Sequence, residues 1–557
     1  MAGFEKSDGE ARPPRSGFLS RHVFRCGHKA VGLQYLWLAL FSVFLGMSLS
    51  LLMRLHLAGI FSSHFLHWSD ATPERYAALT VLHGSLMVFF VLTAAPQFGF
   101  GYYFLPLQIG SQNMAFPALS ALSFWMTFVA LVGMTASFFA TPEAGLQLWL
   151  CGAAIFSLAA LLSALNFSVT VVDLRARGMI LARLPLTVWS WFITAILSLL
   201  IFSILLASCA LLLSDCFAGT HFFGLAPITA GDLARLTLPA VWQRWFWFFA
   251  QAEVYVAMLP CFGIVSHLLS VFSRKPVWKE RMAVLAICGV GLFGFCVWGY
   301  HMFSGGLNPN TPLVFFLLAS SLGIPAAFLM ASWLGTLWNA KPQLTTSMLF
   351  ALGFVSLFLS GGMTGIFLSR AELADAAITN DFVTGHFHLV MGVAATFAVL
   401  AGLFFWFPKM FGRKLNERLG KIHFWLTFAG VYCVFMPMHW IGLLERGSGS
   451  APASLALDTN GATGLREFIT AATLVTVAAQ LLFLANFVWS LFGCRKISAK
   501  NPWRGTTLEW FVSSPPAETN FQQEPAVYRG AYEFGSPFAG EDFIPQHLAP
   551  ELVAKYR

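Results

Sequence analysis

The chain has 557 residues, of which 57% are hydrophobic and only 10% are charged, and it contains 58 Phe and 19 Trp. A soluble domain carries about 25% charged residues, so this composition excludes a soluble globular protein. The formal net charge of +8 comes from basic loops between apolar stretches and does not indicate nucleic-acid binding.

The apolar stretches recur along most of the chain. Residues 1–30 are polar and arginine-rich, without a cleavable signal pattern. About twelve apolar spans of bilayer length follow, beginning near residues 32, 78, 115, 146, 184, 238, 282, 312, 345, 382, 422 and 465. Residues 496–557 are polar and proline-rich. We therefore predict an all-α polytopic membrane protein with a cytoplasmic N-terminal tail over 1–30, a membrane core over 31–495 and a cytoplasmic C-terminal tail over 496–557.

Basic residues cluster in alternate loops, which predicts the orientation of the chain. The clusters follow the fourth, sixth and tenth spans and include Arg175, Arg177, Arg183, Arg274, Lys275, Lys279, Lys409, Arg413 and Lys414. By the positive-inside rule these loops and both termini are cytoplasmic, and we expect a bacterial inner membrane. The nine cysteines show no CxxC or CxxCH pattern, so c-type haem, zinc-finger and iron–sulfur sites are not expected in this chain.

Three of the histidines in the apolar spans, His83, His386 and His388, stand out by their positions. His386 and His388 are close together near the start of the tenth span, and at about 100° per residue they point to opposite flanks of one helix. His83 lies in the second span at a predicted depth similar to that of His388. Two histidines on facing helices suit a six-coordinate haem, and His386 suits a second haem with one protein ligand. The alternative is that these histidines only bond neighbouring helices.

Ordered short motifs extend this interpretation. They include His83-Gly-Ser-Leu-Met-Val-Phe89, Gly99-Phe-Gly-Tyr-Tyr103, Met114-Ala-Phe-Pro117, Glu253-Val-Tyr255, Gly361-Gly-Met-Thr-Gly365, His386-Phe-His388 and Phe407-Pro-Lys-Met410. With these motifs the chain resembles subunit I of the haem–copper oxidase superfamily, cytochrome c oxidase branch, from about residue 32 to 540. The resemblance implies that fold, a low-spin haem held by His83 and His388, and a high-spin haem on His386 where a gas is reduced. It also implies a propionate contact for Arg446.

The second metal site departs from the family pattern, in which three histidines hold copper. The first is replaced by Gln251 in the sixth span, and the adjacent pair reads Tyr300-His301 in the seventh. Amide and phenolate oxygens are harder ligands that suit iron better than copper, and Glu253 or another carboxylate can complete the site. The alternative is that no second metal binds and that Gln251 and Tyr300 bond each other. Tyr255 can still deliver a proton, although Gln251 cannot form the family's His–Tyr link.

The residues implied to carry protons are also replaced. Asn113 stands in place of the entry acid, Tyr102 and Ser120 in place of two asparagines, and Leu329 in place of the lysine of a second path. Asparagine and leucine cannot relay protons as a carboxylate and an amine do. Both paths are therefore predicted to be closed, unless water chains replace them, while Glu253 is retained.

Two gas reactions fit this pattern. In the first, a cupredoxin-like subunit II or a cytochrome c supplies electrons through both haems, and O2 is reduced to water. In the second, two NO are reduced to N2O with non-haem iron in the copper position, which the altered residues favour. A non-catalytic haem protein is a third hypothesis, and the retention of Glu253 and Tyr255 as candidate catalytic residues argues against it.

Overall fold

The computed structural model describes residues 26–57, 73–223, 240–298, 311–368, 381–447, 459–493, 499–535 and 541–553. Its long elements are all helical, which confirms the predicted all-α fold. Two continuous helical stretches, 73–109 and 381–411, each contain a π-helical segment, in which the turns are wider than in an α-helix. In chain order the elements are α1 (His28–Leu57), α2 (Pro73–Ser85), π1 (Leu86–Gly99), α3 (Phe100–Ile109), α4 (Pro117–Ser137), α5 (Pro142–Asp173), α6 (Leu186–Ala218), α7 (Ala240–Ser273), α8 (Glu280–Cys296), α9 (Thr311–Ser321), α10 (Gly323–Leu337), α11 (Thr346–Leu368), α12 (Asp381–Phe387), π2 (His388–Gly392), α13 (Val393–Phe411), α14 (Glu417–Gly447) and α15 (Thr459–Phe492).

The helices agree with the predicted membrane spans. Within the described ranges, 11 helices are long and apolar enough to cross a bilayer. The remaining predicted span, near residue 282, corresponds to α8, which has 17 residues. The chain is therefore a multi-pass membrane protein, and the cytoplasmic position of its termini stays a prediction.

Proline and glycine set several helix ends. Pro117 and Pro142 occupy the first turns of α4 and α5, where a missing N–H leaves no helical bond unmade. Gly110 and Gly412 end α3 and α13 with φ values of 83° and 65°, a backbone region that glycine adopts without a steric penalty. The short connections between these helices follow directly from these residues.

The candidate site lies among the most enclosed helices. The span Val241–Ser273 of α7 and the span Asp381–Phe411 of α12, π2 and α13 are the most buried of the candidate membrane helices. Both pack against π1 and α11. Because α7 carries Glu253 and α12 and π2 carry His386 and His388, the fold places these polar groups within the bundle.

The C-terminal segment, residues 499–535 and 541–553, packs on one end of the bundle. The buried Lys409 ammonium donates to the Val512 carbonyl at 2.8 Å. Gln546 donates to the carbonyl of Arg183 at 3.0 Å. This is the end that carries the basic loops after α5, α7 and α13. The structure therefore joins the tail to the predicted cytoplasmic loops.

An ion pair fixes this segment to the loop after α7. The Arg274 guanidinium donates to both carboxylate oxygens of Asp542, with distances of 2.6 and 2.7 Å, and these bonds hold the pKa of Asp542 below its usual range. We expect Asp542→Asn to lower the free energy of unfolding by about 1 kcal/mol or less, because the carboxylate is half-exposed. A carboxylate with a lowered pKa stabilises the folded state at neutral pH, and this contribution is lost as the pH falls through the acid range.

Thermal unfolding of the detergent-solubilised protein at neutral and acid pH measures this effect. The matched control is Glu541→Gln, which removes the neighbouring exposed carboxylate. The interpretation is wrong if both variants lower the melting temperature equally at neutral pH, or if the effect of Asp542→Asn persists at acid pH.

Candidate functional site

His83 of α2 and His388 of π2 face each other across the bundle. Their ring centroids are 6.5 Å apart, and the ring planes differ by 21°. Two metal–imidazole bonds of about 2.0 Å each, together with the radii of the two rings, fill a separation of this size. The structure therefore brings this predicted pair together in an arrangement that fits one six-coordinate iron.

Backbone carbonyls orient both rings. Nδ1 of His83 bonds the carbonyl of Gly46 in α1 at 2.8 Å, and Nδ1 of His388 bonds the carbonyl of Thr384 at 2.7 Å. A carbonyl accepts only from a protonated nitrogen, so each bond selects the tautomer with a free lone pair on Nε2. Such partners orient metal-binding histidines in known metal sites. These anchors support Nε2 as the ligand atom of both residues.

Side chains pack tightly around the rings of His83 and His388. Phe435 of α14 lies parallel to His388, with centroids 4.5 Å apart and an angle of 10°. A side chain at Gly46 would come within 2.7 Å of the sulfur of Met87, so a larger residue where α1 meets π1 would have to displace the Met87 side chain. The π2 segment begins at His388, and π1 begins shortly after His83. Short π segments are frequent at functional sites.

His386 faces a different helix. Its Nδ1 lies 3.0 Å from the carbonyl of Gly361 and 2.9 Å from the hydroxyl of Thr364, both in α11. A side chain at Gly365 would come within 3.0 Å of the His386 ring. His386 and His388 therefore contact different neighbours on opposite flanks of the helix, and their assignment to two haem sites stays a prediction. The glycine motif of α11 was noted in the sequence, but its role in holding His386 was not predicted.

Glu253 of α7 is buried, with an exposed fraction of 2%. One carboxyl oxygen accepts a 2.5 Å hydrogen bond from the hydroxyl of Thr93 in π1. The other oxygen has no hydrogen-bond partner among the described residues. This carboxyl group therefore has an open position for a proton or a water. Sequence reasoning did not identify Thr93, although its position among apolar residues of the second span is unusual.

Gln251 and Tyr255 lie one turn apart on α7 and bond each other. The Gln251 amide donates to the Tyr255 hydroxyl at 3.2 Å. This bond occupies the place of the covalent link expected in the family. Tyr300 and His301, predicted to share the second metal site, lie outside the described residues, as does the side chain of Arg446. The second metal, Fe or Cu, and the Arg446 propionate contact therefore stay predictions.

The region of the first replaced proton path is closely packed. Tyr102 is fully buried, and its hydroxyl bonds Ser123 at 3.2 Å and Ser163 at 3.0 Å. Ser120 accepts from Asn166 at 2.8 Å. These bonds connect α3, α4 and α5. We name Tyr102, Ser120, Ser123 and Ser163 the Tyr102 cluster. Each of its hydroxyls has a hydrogen-bond partner, and Tyr35 and Asn166 also bond to it.

Aromatic side chains pack around Trp333, which lies one turn from Leu329 on α10. Leu329 and Trp333 of α10 have exposed fractions of 0% and 1%. The Trp333 indole donates to Ser266 of α7 at 2.8 Å, and its ring contacts Phe262 and Phe354. Leu329 itself has no group that can carry a proton. The closure of this path stays a prediction.

Comparisons with known proteins agree with this geometry. The family described as cytochrome c and quinol oxidase polypeptide I matches residues 30–479. The alternative cytochrome c oxidase subunit 1 of Bradyrhizobium diazoefficiens is 39% identical, with 99% of this chain and 96% of the relative covered. Cytochrome c oxidase subunit 1 of Synechocystis is 36% identical, with 94% of each covered.

A solved structure supports the fold. A haem–copper terminal oxidase dimer, determined by cryo-EM, matches with a TM-score of 0.68 and 18% identity, covering 84% of this chain and 85% of that chain. At this identity the likeness concerns the arrangement of helices alone.

Proposed function

Because the chain belongs to the cytochrome c and quinol oxidase polypeptide I family, we propose that it is the catalytic subunit I of a respiratory haem–copper oxidase-type complex. His83 and His388 hold a low-spin haem, and His386 holds a high-spin haem at which a diatomic gas is reduced. The observation that carries this proposal is the opposed pair His83–His388, at a 6.5 Å centroid separation.

The chain's own residues orient and supply this site. The two haems, when bound, transfer electrons and bind the gas. Carbonyls of Gly46, Thr384 and Gly361 fix the ligand histidines, so that each presents Nε2. Glu253, held by Thr93, and Tyr255 are placed on α7 to deliver protons.

For the gas we propose O2, reduced to water. Relatives that cover nearly the whole chain at 36% to 39% identity carry the name cytochrome c oxidase subunit 1. The second candidate is reduction of two NO to N2O, with non-haem iron in the copper position. Gln251 favours this candidate, because it stands in place of a histidine that copper would need. Its amide bonds the Tyr255 hydroxyl instead. An electron-donor subunit with a cupredoxin-like domain, or a cytochrome c, completes either pathway.

Gas consumption by the purified complex, compared side by side for O2 and NO, tests the proposal. We expect two haems per chain and consumption of one gas in preference to the other. Copper with O2 consumption supports the oxidase, and non-haem iron with N2O formation supports the second candidate. Two haems with no turnover of either gas would favour the non-catalytic hypothesis, and a protein without haem would refute the whole assignment.

A further inference from the structure

A row of buried polar side chains connects the C-terminal segment with Glu253. It involves π1, α3, α6 and α7. We name it the polar seam: Thr93, Gln97, Gln108, Thr187, Ser190 and His267, each with an exposed fraction of 0% or 1%. Buried polar groups are costly unless they are bonded. The seam belongs neither to the haem ligands nor to the two replaced proton paths, so its polarity needs a separate explanation.

The seam begins beneath the C-terminal segment. The Gln108 amide donates to the carboxyl group of Glu509 at 3.0 Å, and the Thr187 hydroxyl donates to the Gln108 carbonyl oxygen at 2.5 Å. Nε2 of His267 lies 3.8 Å from the same Glu509 oxygen, and burial raises the pKa of Glu509. These contacts form a continuous ladder from the C-terminal segment to α6.

The middle of the seam crosses from α6 to π1. An added side chain at Gly263 of α7 would collide with the Ser190 hydroxyl, so this hydroxyl lies directly against the α7 backbone, one turn from His267. The Gln97 amide donates to the carbonyl of Trp191 at 3.2 Å. One helical turn farther along π1, Thr93 bonds Glu253 at 2.5 Å. Each step thus brings the polar groups closer to the proposed gas site.

Several atoms along this line have unused hydrogen-bonding capacity. Within the described ranges, Oε1 of Gln97, Nε2 of His267 and Oε2 of Glu253 are buried without a hydrogen-bond partner. His267 and Glu253 are about four turns apart on α7, and Gln97 lies one turn from Thr93, the partner of Glu253. Buried water satisfies such groups in proteins, and a polar site with several partners holds it best. Each hydroxyl of the Tyr102 cluster, by contrast, has a hydrogen-bond partner.

We propose that the polar seam is a hydrated proton path from the Glu509–His267 cluster to Thr93 and Glu253. This proposal rests on the proposed function, because reduction of O2 or NO consumes protons. The amides of Gln97 and Gln108 hold and orient water, and they do not change protonation themselves. Each water or hydroxyl accepts a proton from one neighbour and gives one to the next, so the path carries protons without net change.

Substitution of Gln97 tests the path with little change in side-chain volume. Gln97→Met removes the unpaired oxygen and the amide, and we expect proton uptake to slow by about ten-fold or more. Thr187→Val interrupts the ladder at a second point and should slow the same phase. The measurement mixes the fully reduced purified complex with O2 or NO and follows a pH-indicator dye together with haem absorbance.

The matched control is Tyr102→Phe, which removes a buried hydroxyl from the Tyr102 cluster. We expect its proton uptake to equal that of the unchanged protein. Unchanged uptake in both Gln97→Met and Thr187→Val, with both haems present, overturns the proposal, as does slower uptake in Tyr102→Phe alone. Failure of the proposed function gives a different result, since the unchanged protein would then lack haem or consume neither gas.

Discussion

Replacing His388 with alanine is expected to abolish the low-spin haem signal and to lower gas reduction by more than about 100-fold. Residues that merely orient a metal ligand account for losses of up to about 100-fold, and removal of the ligand itself should exceed that. The ring of His388 faces that of His83 at a centroid distance of 6.5 Å, so removing either ring would leave the proposed haem iron with one protein ligand instead of two. His83→Ala should therefore give the same spectrum.

Absorbance spectra of reduced and carbon monoxide-treated protein measure both haems separately. In His388→Ala and His83→Ala, the high-spin haem on His386 should still bind carbon monoxide. The matched control is His423→Ala, since His423 is a fully buried histidine of α14 that bonds Gln480 at 3.0 Å. An unchanged low-spin spectrum in His83→Ala would refute the pairing, and loss of the same signal in His423→Ala would point to general unfolding.

The opposite orientations of His386 and His388 could be predicted from spacing, but the groups that anchor the candidate haem histidines could not. Opposite flanks of one helix follow from helical geometry, and the structure shows His386 toward α11 and His388 toward His83. The anchors of His83 and His388 are backbone carbonyls, which every residue possesses, so no sequence pattern marks them. Likewise π1 and π2 have no residue signature that separates them from ordinary helix.

Other features were visible in the sequence but had no predicted role. Gln251 and Tyr255 are four residues apart, a spacing at which side chains on a helix meet, and their bond follows from that spacing. Thr93 and Gln97 have the same spacing within an apolar span. Their importance depends on contacts with Glu253 and Trp191, which come from distant parts of the chain. The role of a polar residue within an apolar span therefore depends on contacts with residues distant in the sequence.

Replacing His386 with alanine is expected to produce the spectral change opposite to that of His388→Ala and His83→Ala. The high-spin haem should be lost together with carbon monoxide binding, and gas reduction should fall by more than about 100-fold. The low-spin haem should remain, because His386 bonds Gly361 and Thr364 of α11 and takes no part in the His83–His388 pair. Stopped-flow reduction should still show electron entry into that low-spin haem.

Thr364→Val gives a graded test of the same site. Valine has the shape of threonine but cannot bond Nδ1 of His386, while the carbonyl of Gly361 still can. We expect a partial loss of activity, about ten-fold, with carbon monoxide binding retained. If His386→Ala kept carbon monoxide binding, the reactive haem would need another ligand. If Thr364→Val removed the low-spin signal instead, the assignment of one flank of the helix to each haem would be wrong.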